Sequence, residues 1–156
     1  MRNTTTAAVI AALVIPLGSA TAEPAKEGYL PGLVEIMLTT QSHHAKLWLA
    51  GSVGNWELAA YQADELKEGL EEAGKLVPDY KGIPVGKMVD DLIMPRIEEV
   101  ESAIKARDRV KFPAAYDKLT AACNSCHQGS NRGFIVVQRP PASAFPNQSF
   151  TPKRNP

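Results

Sequence analysis

Apolar residues recur at steps of three and four in four stretches of this chain, set apart by Gly and Pro, while signals for β-strands are scarce. That pattern commits the chain to an all-α fold. The first helix is expected over residues 31–50, opening on Pro31, whose missing N–H is harmless in a first turn, and facing inward with Leu33, Met37, Thr40, His44 and Leu47. The second is expected from Trp56 to Leu76, capped by Asn55, with Ala59, Leu66, Leu70 and Ala73 as its apolar stripe and Pro78 beyond its end. A turn over Asp79, Tyr80, Lys81 and Gly82 leads to a third helix opening at Pro84, whose buried row is Val85, Met88, Leu92, Ile97, Val100 and Ile104. Pro95 inside it predicts a kink, or a split after Met94, because proline removes one backbone bond and crowds the carbonyl four residues back. The fourth begins near Pro113, passes through Tyr116, Leu119, Cys123, Cys126 and His127, and is expected to stop where Gly129 offers a left-handed cap. Short connections favour antiparallel neighbours, so the expected architecture is an antiparallel four-helix bundle with a Pro-rich C-terminal extension.

The ends of the chain read differently. Residues 1–22 carry one charge, Arg2, and an apolar run over residues 7–17, followed by Ala20-Thr21-Ala22, the marks of a secretory signal peptide. The mature chain is expected to be exported and to form one domain: a bundle over residues 23–133 and a tail over residues 134–156, which holds five of the twelve prolines. Within the tail, Phe134, Ile135, Val136 and Val137 are too apolar to be left in water and are expected to fold back on the bundle, while the remainder stays mobile. With 17 basic and 17 acidic residues, the chain lacks the basic excess that nucleic acid requires, and no apolar stretch is long enough to span a bilayer.

The chemistry concentrates in Cys123-Asn124-Ser125-Cys126-His127. Both cysteines of the chain lie here, so they cannot staple distant segments. Cys-x-x-Cys-His is the attachment sequence for c-type haem, and residues three and four apart on a helix share one face, where two thiols reach one porphyrin while the imidazole reaches its iron. Three other uses compete. A redox dithiol needs a βαβ frame that the chain does not offer, and a zinc site would need a histidine from the first helix beside two adjacent, awkwardly aimed ligands. An inert coincidence is the third.

With these residues in view, the sequence resembles the class II c-type cytochromes, the cytochrome c′ and cytochrome c-556 group of periplasmic four-helix bundles. The likeness spans residues 31–127 and rests on CNSCH in a fourth helix and on EIMLTTQSHHAKLWLAG in the first. It implies one covalently attached haem c, with Cys123 and Cys126 as anchors and His127 as proximal ligand, a periplasmic one-electron carrier rather than an enzyme, redox proteins as partners, and room for a homodimer. Two departures stand out. Ser130 and Asn131 occupy positions where the family places tyrosine and a basic residue, with Arg132 one later, and the chain continues for 29 residues past His127, as a distinct branch would.

For the sixth iron position the first helix offers Met37, His43 and His44. Met37 and His44 lie seven residues apart and share a face, whereas His43 points about 100° away and is expected in solvent. The resemblance favours Met37, since it matches the c-556 ligand position. His44, or an open position that binds NO or CO, are the alternatives, the last making the protein a five-coordinate gas binder or sensor. No Arg or second His is placed to assist O–O cleavage, so a peroxidase is not expected. Residues 23–104 carry a net −8 and residues 105–156 a net +7. On this reading Arg132 and Arg139 partner the haem propionates, while Lys105, Arg107, Arg109 and Lys111 steer an acidic partner towards the haem-bearing end, although attraction between oppositely charged helices explains the asymmetry equally well. Trp48 and Trp56 are expected to pack near the first helix-helix turn.

Overall fold

The computed structural model describes residues 29–153; the signal-peptide reading therefore lies outside the described residues. Among them the chain is helical and forms no strand. Helices α1 (Leu33–Ser52) and α2 (Trp56–Leu76) come first. A third rod follows, beginning as α3 (Val85–Met88), widening into a π turn (Val89–Ile93) and continuing as α4 (Met94–Lys105). The last helix is α5 (Lys111–Gly129). No helix among the described residues is long and apolar enough to cross a membrane.

The boundaries have local causes. Asn55 caps α2 by accepting the Leu58 N–H at 3.3 Å, as its residue type predicts. Ahead of α5 the cap is Asp108, whose carboxylate accepts the Val110 and Lys111 N–H groups at 2.9 and 2.8 Å; these bonds hold its pKa down, and the helix starts two residues before the expected Pro113. At the far end of α5 the left-handed residue is Asn131 (φ 57°), not Gly129, which is still helical. Gly129 serves close packing: a Cβ there would sit 3.0 Å from the Met88 methyl.

The third rod is not split after Met94: its helical run is continuous from residue 85 to 105. The chain opens a π turn just before Pro95, with the Met94 N–H reaching back five residues to the Val89 carbonyl, and the proline then falls in the first turn of α4, where it needs no donor. The wider turn moves the inward face to Val89 and Ile93, both 2% exposed, and leaves Leu92, expected in the buried row, at the surface.

The helices bury one apolar core, built from Leu47 and Ala50 of α1, Ala63, Leu66 and Leu70 of α2, Val89, Ile93, Ile97 and Val100 of the third rod, and Phe112, Tyr116 and Leu119 of α5. α1 packs most extensively on α2, and α4 on α5, as in a helical bundle. Gly51 lets α1 approach α5, since a Cβ at that position would fall 2.1 Å from the Phe112 ring. From there the α1–α5 contacts descend in order: Trp48 lies against Phe112 and Tyr116, and His44 against Tyr116 and Thr120.

Beyond α5 the chain to residue 153 has neither helix nor strand, yet it is anchored back along the bundle. Arg139 forks onto Asp117, the Lys46 ammonium sits 4.8 Å from the Phe145 ring, and Asn55 donates to the Phe150 carbonyl at 3.1 Å. The expectation for this tail is met in part. Ile135 and Val137 are held through their backbone and Val137 is half buried, but Phe134 and Val136 are 79% and 70% exposed, and Phe145 and Phe150, in the part expected to be mobile, pack against the core.

Candidate functional site

Helix α5 carries the site. Counting 100° per residue, Tyr116, Thr120, Cys123, Cys126 and His127 fall on one broad face, and Asn124 and Asp117 on the flank that meets the tail. Cys123 and Cys126 are free thiols, half buried against the core. Burial, reinforced by the neighbouring Cys126, pushes the Cys123 thiol up to about 12, and burial raises Cys126 as well, so both are neutral at physiological pH. Neutral, shielded thiols of this kind make poor redox nucleophiles, which weighs against the dithiol alternative.

His127 owes its orientation to the tail. Its Nδ1 lies 2.9 Å from the carbonyl oxygen of Ile135. A carbonyl can only accept, so Nδ1 carries a proton, and in the neutral ring the lone pair then falls on Nε2, the tautomer required of a metal ligand. The segment that supplies this carbonyl is itself gripped by Asn124, which donates from Nδ2 to the Val137 carbonyl at 2.9 Å and accepts the Val137 N–H at 2.8 Å.

His44 is the opposite case. It is 3% exposed, with Nε2 3.0 Å from Thr120 Oγ1 and Nδ1 2.9 Å from the Tyr116 hydroxyl. The Thr120 hydroxyl also reaches the Tyr116 carbonyl at 2.9 Å, and the Tyr116 hydroxyl also reaches the His44 carbonyl at 3.0 Å, so each hydroxyl serves one ring nitrogen of His44 and one backbone carbonyl. Both ring nitrogens are consumed, and burial lowers the imidazole pKa to about 4, keeping it neutral. Burial also raises the Tyr116 phenol.

Met37 is half buried and packs on the core. It precedes His44 by seven residues, as His127 follows Thr120 by seven; each step is two turns, about 10 Å. Extending the α1–α5 contacts by those two turns brings Met37 to the level of the Cys-x-x-Cys-His face. His43, expected in solvent, instead meets α2, with Nδ1 2.9 Å from Gln62 Oε1 and Nε2 4.0 Å from Glu65. Among the described residues no group of three or more His, Cys, Asp or Glu is arranged to hold a metal ion, so the zinc alternative finds no partner for the motif.

The two arginines separate. Arg132 stays at the motif end, where its backbone N–H donates to the His127 carbonyl at 2.7 Å and its guanidinium lies 5.8 Å from the Tyr80 ring. Arg139 is drawn to Asp117, ten residues or about 15 Å up the helix, with two 2.6 Å bonds, and stacks 4.1 Å over Trp48. The basic cluster is also displaced from where the sequence suggests. Lys105, Arg107, Arg109 and Lys111 belong to the α4–α5 connection, where Arg109 donates to the Val53 carbonyl at 3.3 Å. Lys111 and Cys123 are thus about 18 Å apart along α5, so the basic end of the sequence is not the motif end of the molecule. Trp48 and Trp56 pack as expected, stacked at 6.2 Å and edge-on at 5.8 Å against Phe112.

A groove of about 380 Å³ between α4 and α5 is lined by Asp91, Arg96, Lys118, Ala122 and Ser125, beside the motif but on its polar flank. Sequence reasoning missed Asn124 and the Ile135 carbonyl. No residue-type signal marks a backbone acceptor, and spacer positions of such a string tolerate many residues. Tyr116 and Thr120 were findable, because they precede Cys123 by seven and three on the same face. No family model, curated protein or solved structure matches this chain.

Proposed function

We propose that this chain is an exported monohaem c-type cytochrome of the class II type, an antiparallel four-helix bundle that carries single electrons in the periplasm. The observation that supports it best is the His127 ring, turned by the Ile135 carbonyl so that Nε2 is free, on the helical face that also holds two unpaired thiols at the haem-attachment spacing. The donor set fits haem c: thiols for two thioether bonds and one neutral imidazole for the iron. A bound haem supplies one-electron chemistry by cycling its iron between ferric and ferrous forms.

The chain's own residues do the rest. His127 would ligate the iron, and Cys123 and Cys126 would anchor the macrocycle. Met37 is our assignment for the sixth position, because it stands at the right level and His44 has no nitrogen to give. Leu30 just ahead of α1, Val34 and Leu38 on it, and Phe134, Ile135 and Val136 on the tail are exposed apolar side chains at the motif end, a surface suited to a porphyrin edge. Arg132 remains the nearer propionate partner. Arg139 acts through Trp48 and Asp117 instead. Redox proteins are the expected partners, and a homodimer is compatible with this reading.

The test is the mass and visible spectrum of the protein exported by a host that attaches haem c. We expect one haem that survives acid-organic extraction and a reduced form that does not take up CO, with Met37→Ala opening the site to CO. Haem that extracts freely, or a mature mass without haem, would refute the reading. Wild-type protein that already binds CO would replace the electron carrier by a five-coordinate gas binder.

A further inference from the structure

We infer that Asn124, the first spacer of the Cys-x-x-Cys-His string, is a positioning residue for the iron ligand, because it grips the stretch of tail whose carbonyl orients His127. This rests on the haem reading above. Its carboxamide uses donor and acceptor on a single residue of the tail, bonding the Val137 C=O at 2.9 Å and the Val137 N–H at 2.8 Å. Ile135 is two residues away, so fixing Val137 places the Ile135 carbonyl within reach of Nδ1.

Little else holds this stretch. Phe134, Ile135 and Val136 are 79%, 45% and 70% exposed, so side-chain burial does not fix it. Its other bonds are the Ile135 N–H to the Arg132 carbonyl at 2.8 Å and the His127 contact itself. The second spacer makes no such contact: the Ser125 hydroxyl donates back to Ala121 of its own helix at 3.0 Å. One spacer therefore reads the tail and the other does not.

The chemical effect follows from the hydrogen bond. A carbonyl accepting Nδ1–H raises the basicity of Nε2 and favours the ferric ion; losing that carbonyl weakens the imidazole as a donor. Asn124 would thus set the ferric–ferrous balance without touching the iron.

The experiment uses the full haem-loaded chain and three readouts: hydrogen exchange at the Val137 amide, the ¹⁵N signal of His127 Nδ1, and the reduction potential. Asn124→Ala should speed exchange at Val137 at least tenfold, move the Nδ1 signal away from its hydrogen-bonded position, and shift the balance several-fold towards ferrous iron. Val137→Pro, which removes the amide from the tail's side and leaves Asn124 intact, has no proton to exchange at that position but should move the Nδ1 signal and shift the ferric–ferrous balance in the same direction, and Ser125→Ala should change none of the three readouts. Unchanged exchange in Asn124→Ala overturns the grip, and fast exchange with an unchanged potential overturns the coupling to iron. Should the wild type carry no haem, exchange and the Nδ1 signal still decide the role of Asn124, while the haem reading falls separately.

Discussion

Two histidines of the bundle meet opposite fates. At mid-height, His44 is enclosed by Tyr116 and Thr120, and both of its nitrogens are spent inside the protein. At the motif end, His127 spends one nitrogen on the Ile135 carbonyl and keeps the other. The difference teaches that a histidine's role is set by how many of its nitrogens the fold consumes, which neither its position on a helical face nor its burial reveals. The first is a keystone of the core. The second has the free lone pair a ligand needs.

The comparison breaks most visibly at His127. His127→Gly should abolish the spectrum of histidine-ligated iron, and added imidazole should restore it by filling the gap; His44→Gln should leave that spectrum in place. The opposite pattern would exchange the two roles.

The mid-height network should answer in stability instead. Tyr116→Phe deletes the hydroxyl that partners His44 Nδ1 and leaves a buried polar nitrogen without a partner, for a loss of about 1–3 kcal/mol in denaturant unfolding with the haem spectrum unchanged. A stability equal to wild type would mean that the network contributes nothing.

Acid should then separate the two histidines further. His44 binds its proton near 6.5 when unfolded and near 4 when folded, so between these values the unfolded chain holds more protons. Its contribution is complete above about pH 6.5 and is lost as the pH falls towards 4, on the order of 3 kcal/mol in all. His44→Gln should flatten that slope, as unfolding at pH 4.5 and 7 will reveal; a slope that persists in the variant would belong to other groups.

The smallest effect is expected at Arg139, whose ion pair with Asp117 is largely solvent-exposed. Arg139→Ala should cost about 1 kcal/mol, chiefly through Trp48, and leave the reduction potential alone. A marked shift in potential would return Arg139 to the propionates.

Much of this molecule was legible in its sequence, and the omissions have physical reasons. The helices follow from apolar spacing and from caps such as Asn55, whose causes act within a turn or two. Cys123, Cys126 and His127 follow from a string whose geometry lies within one helix. What escaped depends on contacts between distant segments. His44 and Met37 share a face and differ only in what stands opposite. The basic residues 105–111 are near the motif in sequence, yet a straight helix carries them to the other end. The tail's Phe134 reads as a core residue, although the burial goes to Phe145 and Phe150. Leu92 was misplaced for a local reason, since a 3.6-residue period cannot describe a turn that contains more.

That turn has a consequence for the spacing of the third rod. Val85, Val89, Ile93 and Ile97 advance by fours, and each step overshoots a regular turn by about 40°, so three of them would carry Ile97 about 120° away from Val85. All four are nonetheless buried, because the π turn absorbs the surplus. The rod therefore holds one residue more than its inner face needs. Deleting Leu92 would leave steps of four, three and four, the phase of an ordinary amphipathic helix, and would return Pro95 to a helix interior. The extra residue and the proline are therefore coupled: removing Leu92 alone should cost more stability than removing it together with Pro95→Ala.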